Sequence, residues 1–145
     1  MLAGLLVSLS LCQPHLWRHV YRPYRLQVIR MCDRVEGTVV KVRRERDGDA
    51  HILLVPDRAF ADRLTSANRA RLHGALVVEV VCVYTPRTAS AAKACRGYVN
   101  RIRVPKVGDH IAVWGALVHD REHGGWAEIH PAGTIREAAN GTDPR

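Results

Sequence analysis

Residues 74–84, GALVVEVVCVY, constrain the fold of this chain more than any other segment. Apolar residues run through it almost without interruption, and most are β-branched valines, which favour extended backbone. A continuous run of this kind is typical of a strand that is buried on both faces. We therefore predict a central β-strand here, with other elements covering both of its faces.

Four more segments have the composition of β-strands and are separated by turn signals. An Asp-Gly turn at 46–49 separates the first two, and Gly108-Asp109 precedes the next. Gly115 lies inside a predicted strand and indicates a bulge or a sharp bend. The first predicted strand begins at Val35, and the second is AHILLVPD, which Pro56 stops. The other two are residues 110–118 and WAEIHPAGTI at 126–135.

Two further segments are predicted to be helical. Residues 57–72 have one apolar face and Asp57 as a candidate N-cap, and residues 88–97 are rich in alanine and stop at Gly97. Five strands with a glycine-marked bend in a basic chain predict an all-β fold with one or two short helices. The architecture that we expect is a five-stranded, OB-fold-like Greek-key barrel.

The chain divides into four parts at this level. We predict an apolar, signal-like segment at 1–11, a lead-in at 12–33, the barrel at 34–136 and a flexible tail at 137–145. The signal-like segment has no basic residue before it and no Ala-x-Ala cleavage site after it. Our hypothesis is that the true start lies upstream, which N-terminal sequencing of the mature protein would test; an intact Met1 on cytosolic protein would contradict it.

The four cysteines form no CxxC pair, and their spacings fit no zinc finger or ribbon. We predict two local disulfides, Cys12–Cys32 and Cys82–Cys95, and hence an oxidising, exported location. Four buried free thiols in a cytosolic protein are the alternative. No transmembrane span is predicted, since the apolar segment is too short to cross a bilayer.

The formal net charge of +8 attracts polyanions, although a basic composition alone names no function. Arginines interleaved with aromatic residues suit a single strand, whose phosphates contact the cations and whose bases stack on rings. The expected function is a non-enzymatic module that binds single-stranded nucleic acid or another polyanion. The predicted contacts are Arg43, Arg44, Arg46 and Arg103, with Tyr84, Tyr98 or Trp114 for stacking.

The segment HDREHGGWAEIHP at 119–131 is the main candidate for chemistry. Alternation along a strand places Trp126, Glu128 and His130 on one face, where Glu128 and His130 could bond each other and fix the last strand. Pro131 would then end that strand, and Trp126 would cover the barrel. In this interpretation the segment is structural, and neither a metal nor a cofactor is predicted.

A catalytic alternative uses the same polar cluster. Its candidate residues are Asp49, His51, Asp120, His123, Trp126, Glu128 and His130, and His51 could approach Glu128 or His130 inside the barrel or at its mouth. A metal-dependent, nuclease-like hydrolase would use Asp49, His123, Glu128 and His130. The DGDAH turn resembles the DGDT turn of staphylococcal-nuclease-like phosphodiesterases, which implies a metal at Asp49, although Ala50 replaces the threonine. A purely structural envelope protein is the third hypothesis.

Residues 12–135 also resemble a family of bacterial, often exported, OB-fold-like proteins of uncharacterised function. The resemblance rests on RDGDAHILL, GALVVEVVCV, ACRG and VGDHI, and on a D-x-x-HGW-x-EIHP segment. It implies the fold and an export tendency but no activity. This chain has two glycines where the family segment has one, which we expect to lengthen the turn without changing the face of the strand.

Overall fold

The computed structural model describes Gly4 and residues 9–140, and five strands dominate it. The strands are β1 (Leu26–Arg44), β2 (Ala50–Pro56), β3 (Leu76–Val80), β4 (His110–Asp120) and β5 (Trp126–Glu137). The predicted number and order of strands are confirmed. The turns at residues 46–48 and 107–108 are confirmed as well.

The strands pair in a ring in the order β1-β2-β3-β5-β4, and β4 returns to β1. All pairs are antiparallel except β3 with β5. The length of β1 closes the ring, because its first part pairs with β4 and its last part with β2. The register of β5 against β4 shifts on both sides of Gly115, which confirms the predicted bulge.

The main hydrophobic core contains alternate residues of these strands. Ile52 and Leu54 of β2 meet Leu76 and Val78 of β3 and Ile129 of β5, and all five are fully buried. Burying each such side chain stabilises the fold by about 1.5–3 kcal/mol. Successive side chains of a strand point to opposite faces. The residues next to these core residues, including His51, Glu79 and Glu128, therefore lie on the outer face of the ring.

A second core cluster covers part of that outer face. A 3-10 helix at Pro14–His19 places Leu16 against Val81, Cys82 and Val118. Both predicted cysteine pairs are confirmed: the Cα atoms are 5.6 Å apart in Cys12–Cys32 and 5.5 Å apart in Cys82–Cys95. The first pair ties the lead-in to β1, and the second ties the end of a short helix, α2 (Ala89–Ala94), to the end of β3.

Several predicted boundaries were wrong, and β1 differs most. It begins at Leu26, well before the predicted start at Val35, so residues 26–33 belong to the sheet and not to the lead-in. Two register shifts against β4 lie in this part, between Val28 and Asp33. These shifts disrupt the alternation by which a strand is identified in a sequence.

The predicted helix at 57–72 is two elements. A 3-10 helix at Arg58–Arg63 is followed by the α-helix α1 (Ser66–Leu72), whose N-cap Thr65 forms a capping box with Asn68. Asp57 makes no side-chain capping bond; its carboxylate instead lies 2.8 Å from Nε2 of His110.

The predicted strand at 126–135 is confirmed and ends two residues later, at Glu137, so the prediction that Pro131 ends it was wrong. Pro131 follows a cis peptide bond and lies where the β4–β5 pairing is irregular, so its missing N–H interrupts no ladder bond there. β3 is shorter than predicted, but its residues are all buried, as the valine run indicates.

Residues 1–3, 5–8 and 141–145 lie outside the described residues, and with them most of the signal-like segment and half of the predicted tail. Among the residues that are described, no helix is both long and apolar enough to cross a membrane.

Candidate functional site

The candidate site is a polar row across the outer face of β2, β3 and β5. His51 of β2 is the direct cross-strand partner of Glu79 of β3. The parallel register of β3 with β5 pairs Val77 with Glu128. Two residues further along both strands, Glu79 therefore lies opposite His130. The predicted cluster therefore lies outside the ring, not inside it or at its mouth.

His51 and Glu79 form a buried pair. The distance from His51 Nδ1 to Glu79 Oε1 is 2.6 Å, and each side chain is about one-tenth exposed. Burial raises the pKa of Glu79 well above its usual value, and the nearby Glu128 carboxylate raises it further. Burial also lowers the pKa of His51, as does the charge of Arg43. The pair is consequently most stable with no net charge.

Sequence reasoning missed Glu79 because the residue lies inside the valine run. A single carboxylate in an otherwise apolar, buried strand needs a partner, since a buried charge without one is strongly destabilising. That isolated acid was the available signal that a buried partner exists, whereas the identity of the partner depends on the register of β2 against β3.

Trp126, Glu128 and His130 share a face as predicted, and Glu128 bonds both of the others. Trp126 Nε1 donates to Glu128 Oε1 at 2.5 Å, and His130 Nδ1 lies 2.9 Å from Oε2. Although burial alone raises the pKa of Glu128 and lowers that of His130, their mutual hydrogen bond and charges reverse both shifts. Glu128 and His130 therefore form a buried ion pair, as the structural interpretation of this segment predicts.

Asp120 is the third buried carboxylate of the site. Its side chain bonds Arg25, accepts from the backbone N–H of Glu122 at 2.9 Å, and lies 2.8 Å from Nδ1 of His123. The ring of His123 stacks on that of Trp126 at 4.4 Å between centroids. Both glycines of the turn have positive φ, and β5 begins opposite Asp120.

Asp49 immediately precedes β2, is buried and has a structural partner. Its Oδ1 accepts from the backbone N–H of Cys82 at 2.8 Å, and burial together with the charge of Asp47 raises its pKa to about 7. Within the described ranges, the one group of three potential metal ligands is Asp49 with Cys82 and Cys95. Those two sulfurs are bonded to each other, so the group does not fit a metal ion.

A cavity of about 180 Å³ opens beside the row. Five residues of the predicted polar cluster line it, whereas Asp49 and His130 do not. The lining residues are Arg25, Arg43, Glu45, Asp47, His51, Glu79, Asp120, His123, Trp126 and Glu128. Its carboxylates are largely neutralised by internal partners, for example Glu45 by Arg43 at 2.6 Å.

A larger groove of about 580 Å³ adjoins this cavity. Its lining combines apolar side chains with the cations Lys41, Arg43 and Arg71, and Arg43, His51 and Trp126 line both spaces. None of its lining residues is acidic; they are Val40, Lys41, Arg43, His51, Leu53, Val55, Arg71, Leu72, His73 and Trp126.

The residues predicted to bind polyanions do not form one surface. Arg44 stacks over Tyr84 at 4.3 Å beside a groove of about 570 Å³ that Arg46 also lines. Trp114 lies under the guanidinium groups of Arg34 and Arg136.

The other two predicted contacts have different surroundings. Arg103 lines a separate groove beside Arg136. Tyr98 is stacked on His19 at 4.1 Å and packs against the second core cluster, so that face of its ring cannot receive a base. Of the predicted set, Arg43 alone lines the groove next to the polar cavity.

Comparison with known proteins adds no assignment to this geometry. The chain matches no protein-family model and no curated protein.

Proposed function

We propose that this protein binds single-stranded nucleic acid in the groove on the outer face of β1 and β2. The carrying observation is the composition of the groove: its lining contains Lys41, Arg43 and Arg71, apolar side chains and Trp126, and none of the lining residues is acidic. Cations contact phosphates, and aromatic and apolar surfaces accept unstacked bases.

The individual contacts support this function. Val40 and Val55 are 46% and 41% exposed, which leaves apolar surface for bases. Arg43 also bonds Glu45, but this exposed pair is worth little and can exchange for a phosphate. The Arg44–Tyr84 stack lies further along β1, where it offers a second contact, because bases stack on guanidinium planes as well as on rings.

The finer architecture and the cellular location belong to the same proposal. The ring order, the long β1 and the parallel β3–β5 pair support an OB-fold-like Greek-key barrel. Two cysteine pairs at disulfide distance are compatible with an oxidising, exported location and with the proposed bacterial family. Fractionation of cells that express the protein tests the location.

Fluorescence anisotropy with a labelled single-stranded oligouridylate tests the binding. We expect Lys41→Ala/Arg71→Ala to weaken binding about tenfold or more at moderate salt. Each lost phosphate contact should also reduce the salt slope by about 0.7. Arg58→Ala/Arg101→Ala is the charge-matched control, because both arginines are exposed and neither lines the groove.

Two outcomes would contradict the proposal. If both double variants bind alike, the groove is not the binding surface. If the protein binds nothing, or binds duplex and heparin as tightly as the single strand, the proposal of a single-strand module fails. A structural envelope protein then becomes the better hypothesis.

A metal-dependent hydrolase is the alternative function that the sequence suggests. No three of its residues Asp49, His123, Glu128 and His130 have their ligand atoms within 4.8 Å of one another in the described part of the chain. The geometry therefore favours the binding function.

A further inference from the structure

The point where the cationic groove meets the polar cavity carries two histidines. His51 lines both spaces, and His123 lines the cavity beside Trp126. Arg43 also lines both spaces, which places a guanidinium group where a strand in the groove would pass the cavity.

The two histidines are held in the same way. Nδ1 of His51 is bonded to Glu79, and Nδ1 of His123 is bonded to Asp120. Neither Nε2 atom has a hydrogen-bond partner among the described residues, and neither is among the buried polar atoms without one. Each ring therefore has a fixed orientation and one nitrogen free to exchange a proton at the cavity.

The environments of the two pairs differ, which gives them different roles. Asp120 is bonded by Arg25, so it orients His123 as a carboxylate, with the proton on Nδ1 and a lone pair on Nε2. The buried His51–Glu79 pair instead retains the proton of Glu79, because burial raises the pKa of that carboxyl group. Nδ1 of His51 then accepts from Glu79, and Nε2 carries the ring proton.

We propose that this cavity cleaves RNA, with His123 as the proton acceptor and His51 as the proton donor. This activity rests on the proposed function, since the groove brings the strand to the cavity. The substrate class is RNA because its 2′-hydroxyl group supplies an internal nucleophile, and the step then requires only proton transfers and stabilisation of charge.

The step is a transphosphorylation. His123 Nε2 removes the proton from the 2′-hydroxyl group, and its oxygen forms a bond to the adjacent phosphorus. The bond from phosphorus to the 5′-oxygen breaks, and that oxygen takes the proton from His51 Nε2. The proton of Glu79 moves to Nδ1 of His51, leaving a carboxylate, and Arg43 stabilises the charge on the phosphoryl oxygens. The products are a 2′,3′-cyclic phosphate and a free 5′-hydroxyl group.

The test uses the dinucleotide uridylyl-adenosine and the labelled oligouridylate, both with a chelator present. We expect the native protein to form the cyclic phosphate from both. His123→Gln and His51→Gln should each lower the rate at least about 100-fold. His15→Gln, at an exposed histidine outside the cavity, should retain the native rate. His123 is 49% exposed, so His123→Gln is expected to fold even if His51→Gln does not.

Glu79→Gln tests the positioning role. Glutamine keeps a hydrogen bond to His51 but has no proton to return to it, so we expect kcat to fall while KM stays close to its native value. A change confined to KM would remove this role from Glu79.

The outcomes separate the two proposals. Binding of the oligouridylate without cleavage of either substrate overturns the activity and leaves the binding function. Cleavage of the dinucleotide without binding of the oligomer removes the binding function instead. Cleavage of the 2′-deoxy dinucleotide, or equal cleavage by His123→Gln, would contradict the mechanism.

Discussion

At the scale of single residues, histidine–carboxylate pairs recur across this molecule. His51, His110, His123 and His130 each bond a carboxylate, with distances of 2.6 to 2.9 Å. They differ in the second nitrogen of the ring. His110 uses both nitrogens in contacts, and Nε2 of His130 is sealed in the interior. A free second nitrogen at the cavity therefore distinguishes His51 and His123 from the two pairs that serve the fold.

Asp49 gives a prediction about pH at this scale. Its pKa rises from 3.8 to about 7 in the folded protein, chiefly because the carboxyl group is buried. The folded state therefore binds more protons than the unfolded state between these pH values, and its stability falls as pH rises through this window. Asp49→Asn removes this dependence while keeping an oxygen for the N–H of Cys82.

Urea unfolding of both proteins at pH 4 and pH 7 measures the effect. The stability of the native protein relative to Asp49→Asn should fall by about 1.4 kcal/mol for each pH unit in the window. Asp62→Asn, at an exposed carboxylate, is the control and should not reproduce this change. Parallel pH profiles of the native protein and Asp49→Asn would show that folding does not change the pKa of Asp49, which would contradict the prediction.

At the scale of elements, one buried side chain fixes α1 to the sheet. Asn68 accepts from the backbone N–H of Ala127 at 2.7 Å and donates to the carbonyl groups of Ala75 and Ala127. It also completes the capping box with Thr65. The side chain thus joins the start of the helix to β5, next to Trp126 and Glu128 of the site.

Asn68→Ala should therefore cost more than a surface substitution. The N–H of Ala127 would lose its side-chain acceptor in a buried position, which costs about 1–3 kcal/mol, and the cap would be lost as well. Asn140→Ala, at an exposed asparagine, is the matched control. Equal unfolding free energies for the two variants, measured in urea, would contradict the role of Asn68.

The strands were predictable from the sequence where local pattern determines them. The valine run and the Asp-Gly turn specified β3 and the β1–β2 hairpin, because burial and turn geometry are local demands. The early start of β1 and the passage of β5 through Pro131 were not predictable, since both depend on bulges set by pairing with β4. The partner of His51 depends in the same way on cross-strand register, which a sequence does not display.

At the scale of the whole molecule, the basic and acidic side chains differ in how far they are exposed. Four carboxyl groups of the site are buried, at Asp49, Glu79, Asp120 and Glu128, whereas most lysines and arginines are exposed. The chain as a whole has a formal net charge of +8. This arrangement lets a polyanion approach a cavity that contains several carboxylates.

The two cysteine pairs give the last prediction, because they tie the irregular parts of the chain to the sheet. Each closes a short loop, with sequence separations of 20 and 13 residues. Replacing either pair by alanines should lower the free energy of unfolding by about 3 kcal/mol, chiefly through the entropy of the unfolded chain. The loss of both is comparable to the whole stability of a small domain, about 5–15 kcal/mol.

Thermal unfolding with and without a reductant measures the contribution of the two disulfides. The native protein should lose stability when reduced, whereas the variant without cysteines should not respond. An unchanged melting temperature of the reduced native protein would mean that the core alone holds the ring.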